Sequence, residues 1–344
     1  MTTNSVTALN DSENLIEQRR PRSEAVARFT QRNGAIVMMV ILALVMAASF
    51  PSFGTVSNLT QIAQQASFYA PLALGMTFVI FTGGIDLSVG SVFALGGVIA
   101  AWASQYGILA AILLPLVVCG FIGLVQGLII ARTAIPAFIV TLAGLLFARG
   151  LLLVLTNEGA TTFKVPADSP FLGLAGGSFL GLANSVWLVI ALYLIGVVVL
   201  RRTSYGSTLL AIGGQADAAD LMGLPVMRST IIVYTVSGLL AGLGGVLIAS
   251  YTSSGVTTLG VGLELTVIAA VVLGGTLLTG GAGTVMGSLA GIVLLQLVAN
   301  LINRLSLTNS NWQAVVNGAV LIFVAVGQFY LSRVQARARK KAAD

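Results

Sequence analysis

One carboxylate stands alone between Glu24 and Glu158. It is Asp86, in the run Thr82-Gly83-Gly84-Ile85-Asp86-Leu87-Ser88. Strongly apolar sequence flanks it on both sides, and an acid in such a setting is costly unless donors or water satisfy it. Gly83 and Gly84 permit positive φ and hence a tight turn. Asp86 can then accept hydrogen bonds from the first free N–H groups of a following helix. The stretch therefore reads as a helix, a sharp turn and an Asp-capped helix, with Gly83, Gly84, Asp86 and Ser88 shaping a central turn. Two roles stand side by side for Asp86: a cap and nothing more, or a polar group beside a path through the molecule.

Other reactive groups are scarce. The chain has no histidine and one cysteine, Cys119, inside an apolar run. That removes the commonest general base and the commonest metal ligand and leaves no intrachain disulfide to report on redox compartment. No nucleophile–His–Asp set and no Cys/His metal cluster can be assembled, and no GxxxxGK[ST] phosphate loop is present. No catalytic, cofactor-binding or metal residues are expected. The chain is not expected to be an enzyme, nor to hydrolyse ATP by itself.

Composition then decides what positions the turn. Of the 344 residues, 57% are hydrophobic and 8% charged, where soluble domains carry about 25% charge. The mean hydropathy is +0.99. A soluble fold cannot hide that much apolar surface. The apolar runs are continuous and not alternating, so helices are indicated and a β-barrel is not. At about 20 residues per span, the chain has room for about ten. Spans are expected near 34–49 and 61–81, then from the central turn to about Ser104, and near 107–130, 135–155, 184–200 and 231–250. A glycine-broken eighth, short or re-entrant, covers 265–283, a ninth ends near Asn300, and a tenth, anchored by Trp312, ends near Tyr330. The polar start of the second span (Gln61, Gln64, Gln65, Ser67) either lines an aqueous path or sits at the interface. Arg149 is expected to snorkel outward or to pair with Glu158 or Asp168.

Basic residues crowd the ends of the spans: Arg19, Arg20, Arg22, Arg28 and Arg32 before the first, Arg132, Arg201 and Arg202 between spans, and Arg333, Arg337, Arg339, Lys340 and Lys341 at the end. The net charge of +6 is thereby explained by orientation and not by nucleic acid, and both termini are placed in the cytoplasm. The expected organisation is a tail over 1–33, a transmembrane region over 34–331 with a cytoplasmic loop at 201–229, and a basic tail over 332–344. Glycines at four-residue spacing (Gly123 and Gly127; Gly238 and Gly242; Gly283, Gly287 and Gly291) predict close helix–helix faces, with internal packing their use. Thr82-Gly83-Gly84 and Gly90-Ser91 also align without gaps on Thr279-Gly280-Gly281 and Gly287-Ser288. This topology puts both turns on one side of the membrane, so chance matching of glycine-rich turns competes with a repeat.

The loop 201–229 holds Gly213-Gly214-Gln215 and then a short helical piece from Ala216 to Met222. Gly223 reads as its C-cap and Pro225 forbids its continuation. Helical spacing puts Ala218, Ala219 and Met222 on one face, which suits docking into a groove on another protein. An ordinary connecting loop is the plainer reading.

Taken together, Gly75-Met76-Thr77-Phe78-Val79-Ile80 before Gly83–Ser91, Ile135-Pro136-Ala137-Phe138-Ile139-Val140-Thr141-Leu142, Arg149-Gly150, and Gly213-Gly214 followed by Ala218-Ala219 and Gly223 resemble the permeases of the ribose and branched-chain amino-acid class of ABC importers. The resemblance spans roughly 34–331. It implies an all-α, polytopic subunit of a bacterial inner membrane that moves a monosaccharide or related neutral solute inward. It implies three partners: a separate ABC ATPase docking at Gly213, Gly214, Gln215, Ala218, Ala219, Met222 and Gly223, an extracytoplasmic sugar-binding protein, and a second permease copy or paralogue. Gln215 stands where the family usually has Asn, and Asp220 where a basic residue is common, which bears on partner specificity and not on docking as such.

Two other function classes remain open to test. An ion-coupled carrier needs buried ionisable groups, for which Asp86 and Glu264 are the candidates. A membrane-embedded enzyme lacks the residues for its chemistry.

Overall fold

The computed structural model describes residues 22–133 and 135–305, with seven further positions between 312 and 326. Side chains are described from Gly34 onward. Arg19 and Arg20 of the N-terminal cluster, most of the tenth expected span and the basic C-terminal tail lie outside the described residues.

The chain is mostly helical. In order it forms α1 (Arg22–Ser49), α2 (Val56–Phe81), α3 (Val89–Ala103), α4 (Ile108–Arg132), α5 (Ala137–Leu155), a short α6 (Gly173–Gly176), α7 (Asn184–Arg202), α8 (Ser204–Gly214), α9 (Ala216–Leu221), α10 (Val226–Thr252), α11 (Leu263–Leu273) and α12 (Val285–Arg304). Six helical stretches are long and apolar enough to cross a membrane: Val89–Tyr106, α4, α5, α7, α10 and α12. Gly34–Ser49 and α11 are apolar but shorter. The outward faces of α4 and α5 carry Leu109, Phe121, Leu146 and Val154, all more than 60% exposed. Such a surface suits lipid and not water. The protein is a multi-pass membrane protein.

One feature departs from the sequence reading. The loop 156–183 contains a two-stranded hairpin, Ser178–Phe179 paired with Leu182–Ala183, so the chain is not purely helical. The glycine-broken eighth span is short, one of the two forms expected of it: an 11-residue helix, α11, followed by the irregular stretch 274–284.

α10 is the pillar of the fold, packing on α4, α3 and α2. Glycine makes this possible. A Cβ on Gly123 would strike the Tyr234 carbonyl, one on Gly127 would lie 2.9 Å from Ile231 Cα, and one on Gly238 would strike the Cys119 carbonyl. The glycine pairs at four-residue spacing on α4 and α10 thus face each other across one antiparallel contact. Gly287 and Gly291 on α12 do the same, against the carbonyl of Gly274 just past the end of α11 and that of Ala270 within it. Lipid tails are as apolar as leucine, so close backbone approach and dispersion, rather than hydrophobicity, hold such helices together.

A polar clamp joins α12 to the start of α2. Arg304 donates to Ser52 Oγ at 2.7 Å, Asn58 Oδ1 at 2.9 Å and Asn300 Oδ1 at 3.0 Å. Asn58 in turn donates to the Phe53 carbonyl at 2.9 Å, so the connection between α1 and α2 is tied to the far end of α12.

Candidate functional site

α2 ends as a glycine-terminated helix should. Gly83 takes φ +77°. Its N–H donates to the Ile80 carbonyl at 2.9 Å, and the Gly84 N–H donates to the Val79 carbonyl at 3.2 Å. This pair of bonds closes a helix on a left-handed residue. Gly84 is required for a different reason from the one expected. Its φ is not positive, but a Cβ there would strike the Tyr234 hydroxyl, which lies over it.

Asp86 is sealed in, only 1% exposed. Its Oδ1 accepts from the Ser88 N–H at 2.9 Å and the Ser88 hydroxyl at 2.6 Å, and its Oδ2 accepts from the Ser237 hydroxyl of α10 at 2.7 Å. The first of these closes an Asx turn and corrects the expected Asp cap: α3 begins at Val89, and Ser88 stands at its N-cap without a side-chain cap bond. The third was not legible in the sequence, because it joins residues 151 positions apart. Ser88 also lies 3.3 Å from Gln126 Oε1 on α4, and Thr141 on α5 donates to the Ile85 carbonyl at 3.2 Å. Helices α4, α5 and α10 therefore all grip this one turn by side chains.

The second Thr-Gly-Gly turn lies directly against the first. The Gly281 N–H donates to the Phe81 carbonyl at 3.1 Å, one of the acceptors a helix C-terminus leaves unused. A Cβ on Gly280 would lie 2.7 Å from Gly83 N and 3.0 Å from Gly213 Cα. A Cβ on Gly213 would strike both the Phe81 carbonyl and Gly281 N. Three backbone segments, the central turn, the 279–281 turn and the end of α8, meet with glycine at every crossing. The match between residues 82–84 and 279–281 was the sequence signal for this junction.

Beyond the junction, α8 passes through Gln215 into α9. A Cβ on Gly214 would meet nothing within 4 Å. α9 ends on the same bonding pattern as α2: Gly223, at φ +79°, donates to Asp220 at 2.8 Å, and Leu224 donates to Ala219 at 3.0 Å. The shared face expected for Ala218, Ala219 and Met222 does not form one exposed patch. Ala219 is 1% exposed and packs inward, anchoring the short helix. The apolar tip consists of Leu221 and Met222, at 90% and 70% exposure. Leu221 was missed because spacing alone does not say which side of a six-residue helix meets its own protein.

Residues 58–325 match a family model described as a branched-chain amino acid transport system / permease component. The chain belongs to this family. The permease is 40% identical over 301 residues to the ribose import permease protein RbsC of Escherichia coli (strain K12), covering 86% of this chain and 92% of that one. It is 39% identical over 290 residues to the inner membrane ABC transporter permease protein YjfF of the same strain, covering 80% and 85%. It is 35% identical over 317 residues to the L-arabinose ABC transporter permease protein AraH of Azospirillum brasilense, covering 92% of each. No solved structure matches the permease.

Of the two fates expected for Arg149, pairing with an acid is not the one it takes. It does not reach Glu158 or Asp168. Its guanidinium donates to the carbonyls of Thr257 at 2.8 Å and Leu259 at 3.1 Å, in the non-helical break between α10 and α11. Non-helical backbone within a membrane protein needs its carbonyls satisfied, and one planar guanidinium serves two of them. Arg149→Gln is expected to lower the stability of the purified permease by about 2 kcal/mol, the order of one or two hydrogen bonds from a charged donor, read as a lower thermal unfolding midpoint. Lys in its place, with a point charge and no fork, is expected to recover less than half of the loss.

Proposed function

We propose that the chain is the membrane-spanning subunit of an ABC importer for a monosaccharide, energised by a separate ATPase and supplied by an extracytoplasmic sugar-binding protein. The observation that carries this reading is the kinship itself. Relatives at 35–40% identity along nearly their full lengths are named as ribose and L-arabinose permeases. The permease works beside a second copy or a paralogue in a bacterial inner membrane. It has ten spans with both termini in the cytoplasm, a transmembrane region over 34–331, and short tails over 1–33 and 332–344. The ion-coupled alternative gains nothing from Asp86, whose two oxygens are both occupied by donors.

The ATPase docks on the loop 201–229, where Leu221 and Met222 enter a groove on the partner while Ala219 and Gly223 hold the short helix in shape. Motion of that helix passes along α8 to Gly213, and there to the central turn of Gly83, Gly84, Asp86 and Ser88 beside the solute path. The meeting of Gly213, Gly83 and Gly280 supports this route, because it leaves no flexible side chain between the loop and the two turns.

The test is uptake of radiolabelled D-ribose and L-arabinose into vesicles holding the permease, its ATPase and its binding protein. ATP-dependent accumulation that survives collapse of the proton and sodium gradients is expected. Accumulation by the permease alone would end the proposal. In the same assay Leu221→Asp/Met222→Asp is expected to cut uptake and co-purification of the ATPase at least tenfold (~1.4 kcal/mol of lost contact) while membrane insertion stays unchanged. Gly223→Val, which forces a β-branched residue to positive φ at a cost of about 1–2 kcal/mol, is expected to weaken coupling in the same direction.

A further inference from the structure

The hairpin before α7 turns through two residues, Leu180 and Gly181, both at positive φ (+51° and +79°). Asn-Gly or Asp-Gly is the usual choice for such a turn. Leucine is not, because a Cβ in the left-handed conformation crowds the next carbonyl. Nor does the side chain gain packing in return, since Leu180 is 77% exposed. A strained apolar residue at an exposed tip points to a contact beyond the chain.

The segment that carries the turn indicates what that contact is. No charged residue occurs between Asp168 and Arg201, so neither α6 nor the hairpin has the charges that steer a soluble partner onto a surface. Carbonyls along this irregular stretch are instead satisfied by the protein's own side chains. Ser250 donates to Phe171 at 2.7 Å, Asn184 to Gly173 at 2.8 Å, Gln64 to Ala175 at 2.7 Å and Trp187 to Phe179 at 2.9 Å. Irregular backbone needs such donors where water is scarce. Trp187 fixes the depth. It lies at the end of the first turn of α7, a helix of 19 residues closed at its other end by Arg201 and Arg202. That length is about 28 Å, close to the ~30 Å of a hydrocarbon core. The Trp187 ring meets that of Phe179 edge-on, with centroids 6.2 Å apart. From Trp187, Ile190, Leu194 and Val198 continue at helical spacing as an exposed apolar stripe.

We infer that the hairpin tip, Phe179 and Leu180, inserts into the lipid at the headgroup boundary and anchors the end of α7 in the bilayer. Trp187 sits where membrane proteins place their aromatic belt. Phe179 carries the apolar stripe of α7 onto the hairpin, and Leu180 extends it. Transfer of these side chains out of water offsets the backbone strain at Leu180. The anchor requires only that α7 crosses a membrane, in either direction, so it stands or falls independently of the transported solute.

The test uses the full-length permease in vesicles of phosphatidylethanolamine and phosphatidylglycerol. In a Cys119→Ser background, a nitroxide is attached through Leu180→Cys, or through Asp168→Cys as a control at an exposed residue of the same loop. The label at the hairpin tip is expected to relax with oxygen and to lose access to a water-soluble nickel chelate, while the control label stays open to the chelate. Equal access of the chelate to both labels would overturn the inference. So would protection of the tip label from oxygen as well as from the chelate, which would mean a protein cover such as a second copy of the chain. A second measurement leaves the hairpin unaltered. With Trp187 as the sole tryptophan, in Trp102→Phe/Trp312→Phe, its emission is expected to be quenched by lipids brominated near the headgroup end of the acyl chain. Loss of that quenching would overturn the inference even if the Leu180→Cys variant does not fold.

Discussion

Gly213→Ala is expected to reduce uptake by the assembled importer at least tenfold and to lower the unfolding midpoint of the permease, while Gly214→Ala changes neither. On helix propensity alone both substitutions should stabilise, since alanine inside a helix is worth about 0.5–1 kcal/mol over glycine. A Cβ on Gly214 would meet nothing within 4 Å, so that small gain is all it can show. At Gly213 the new methyl would strike the Phe81 carbonyl and the Gly281 N–H, both backbone atoms. Backbone cannot rotate away, so α8 must separate from the two turns and the 3.1 Å bond between Gly281 and Phe81 is strained or lost. Overpacking of this kind costs about 1–3 kcal/mol, which exceeds the propensity gain. Gly213→Val should be worse. Two neighbouring glycines with opposite outcomes would tie the effect to the junction and not to the loop's general tolerance. Thermal unfolding of the permease alone, measured beside ATP-driven uptake, separates loss of fold from loss of coupling.

Asp86→Ala is expected to destabilise the permease by about 3 kcal/mol or more, and Asp86→Asn by about 1 kcal/mol. The alanine leaves the Ser88 N–H, the Ser88 hydroxyl and the Ser237 hydroxyl without their acceptor in a sealed site. Hydrogen bonds to a charged group are worth about 1.5–3 kcal/mol each, and release of the buried charge offsets part of that sum. An asparagine keeps one oxygen for both Ser88 donors and turns an amide N–H towards Ser237, whose hydroxyl can accept. Uptake should follow stability: nearly lost in Asp86→Ala, mostly kept in Asp86→Asn. Equal loss of uptake in two variants of unequal stability would instead assign the negative charge itself a role. Ser237→Ala gives a second check, because it removes one donor and leaves the acid in place.

The length and continuity of the apolar runs established a helical membrane protein before any coordinate was needed, and a single acid among them located the turn on which α4, α5 and α10 converge. Gly83 and Gly223 were readable as helix ends because a left-handed terminus has few alternatives to glycine. The partners of Arg149 were not legible because a chain offers many to an arginine near a span end, and only the fold brings the carbonyls of Thr257 and Leu259, 108 and 110 residues away, within reach. Ala219 was misplaced for the mirror reason. A period of 3.6 residues groups side chains into faces without saying which face meets the rest of the protein.

Local rules thus determined the membrane class, the helix ends and the presence of a costly buried acid, because those depend on composition and on neighbours a few residues away. Tertiary structure alone decided that Ser237 closes the site of Asp86, and that two Thr-Gly-Gly turns and the end of α8 share one backbone contact. Such contacts form when distant segments approach to within the reach of a missing methyl group, and a sequence read along its length carries no measure of that distance.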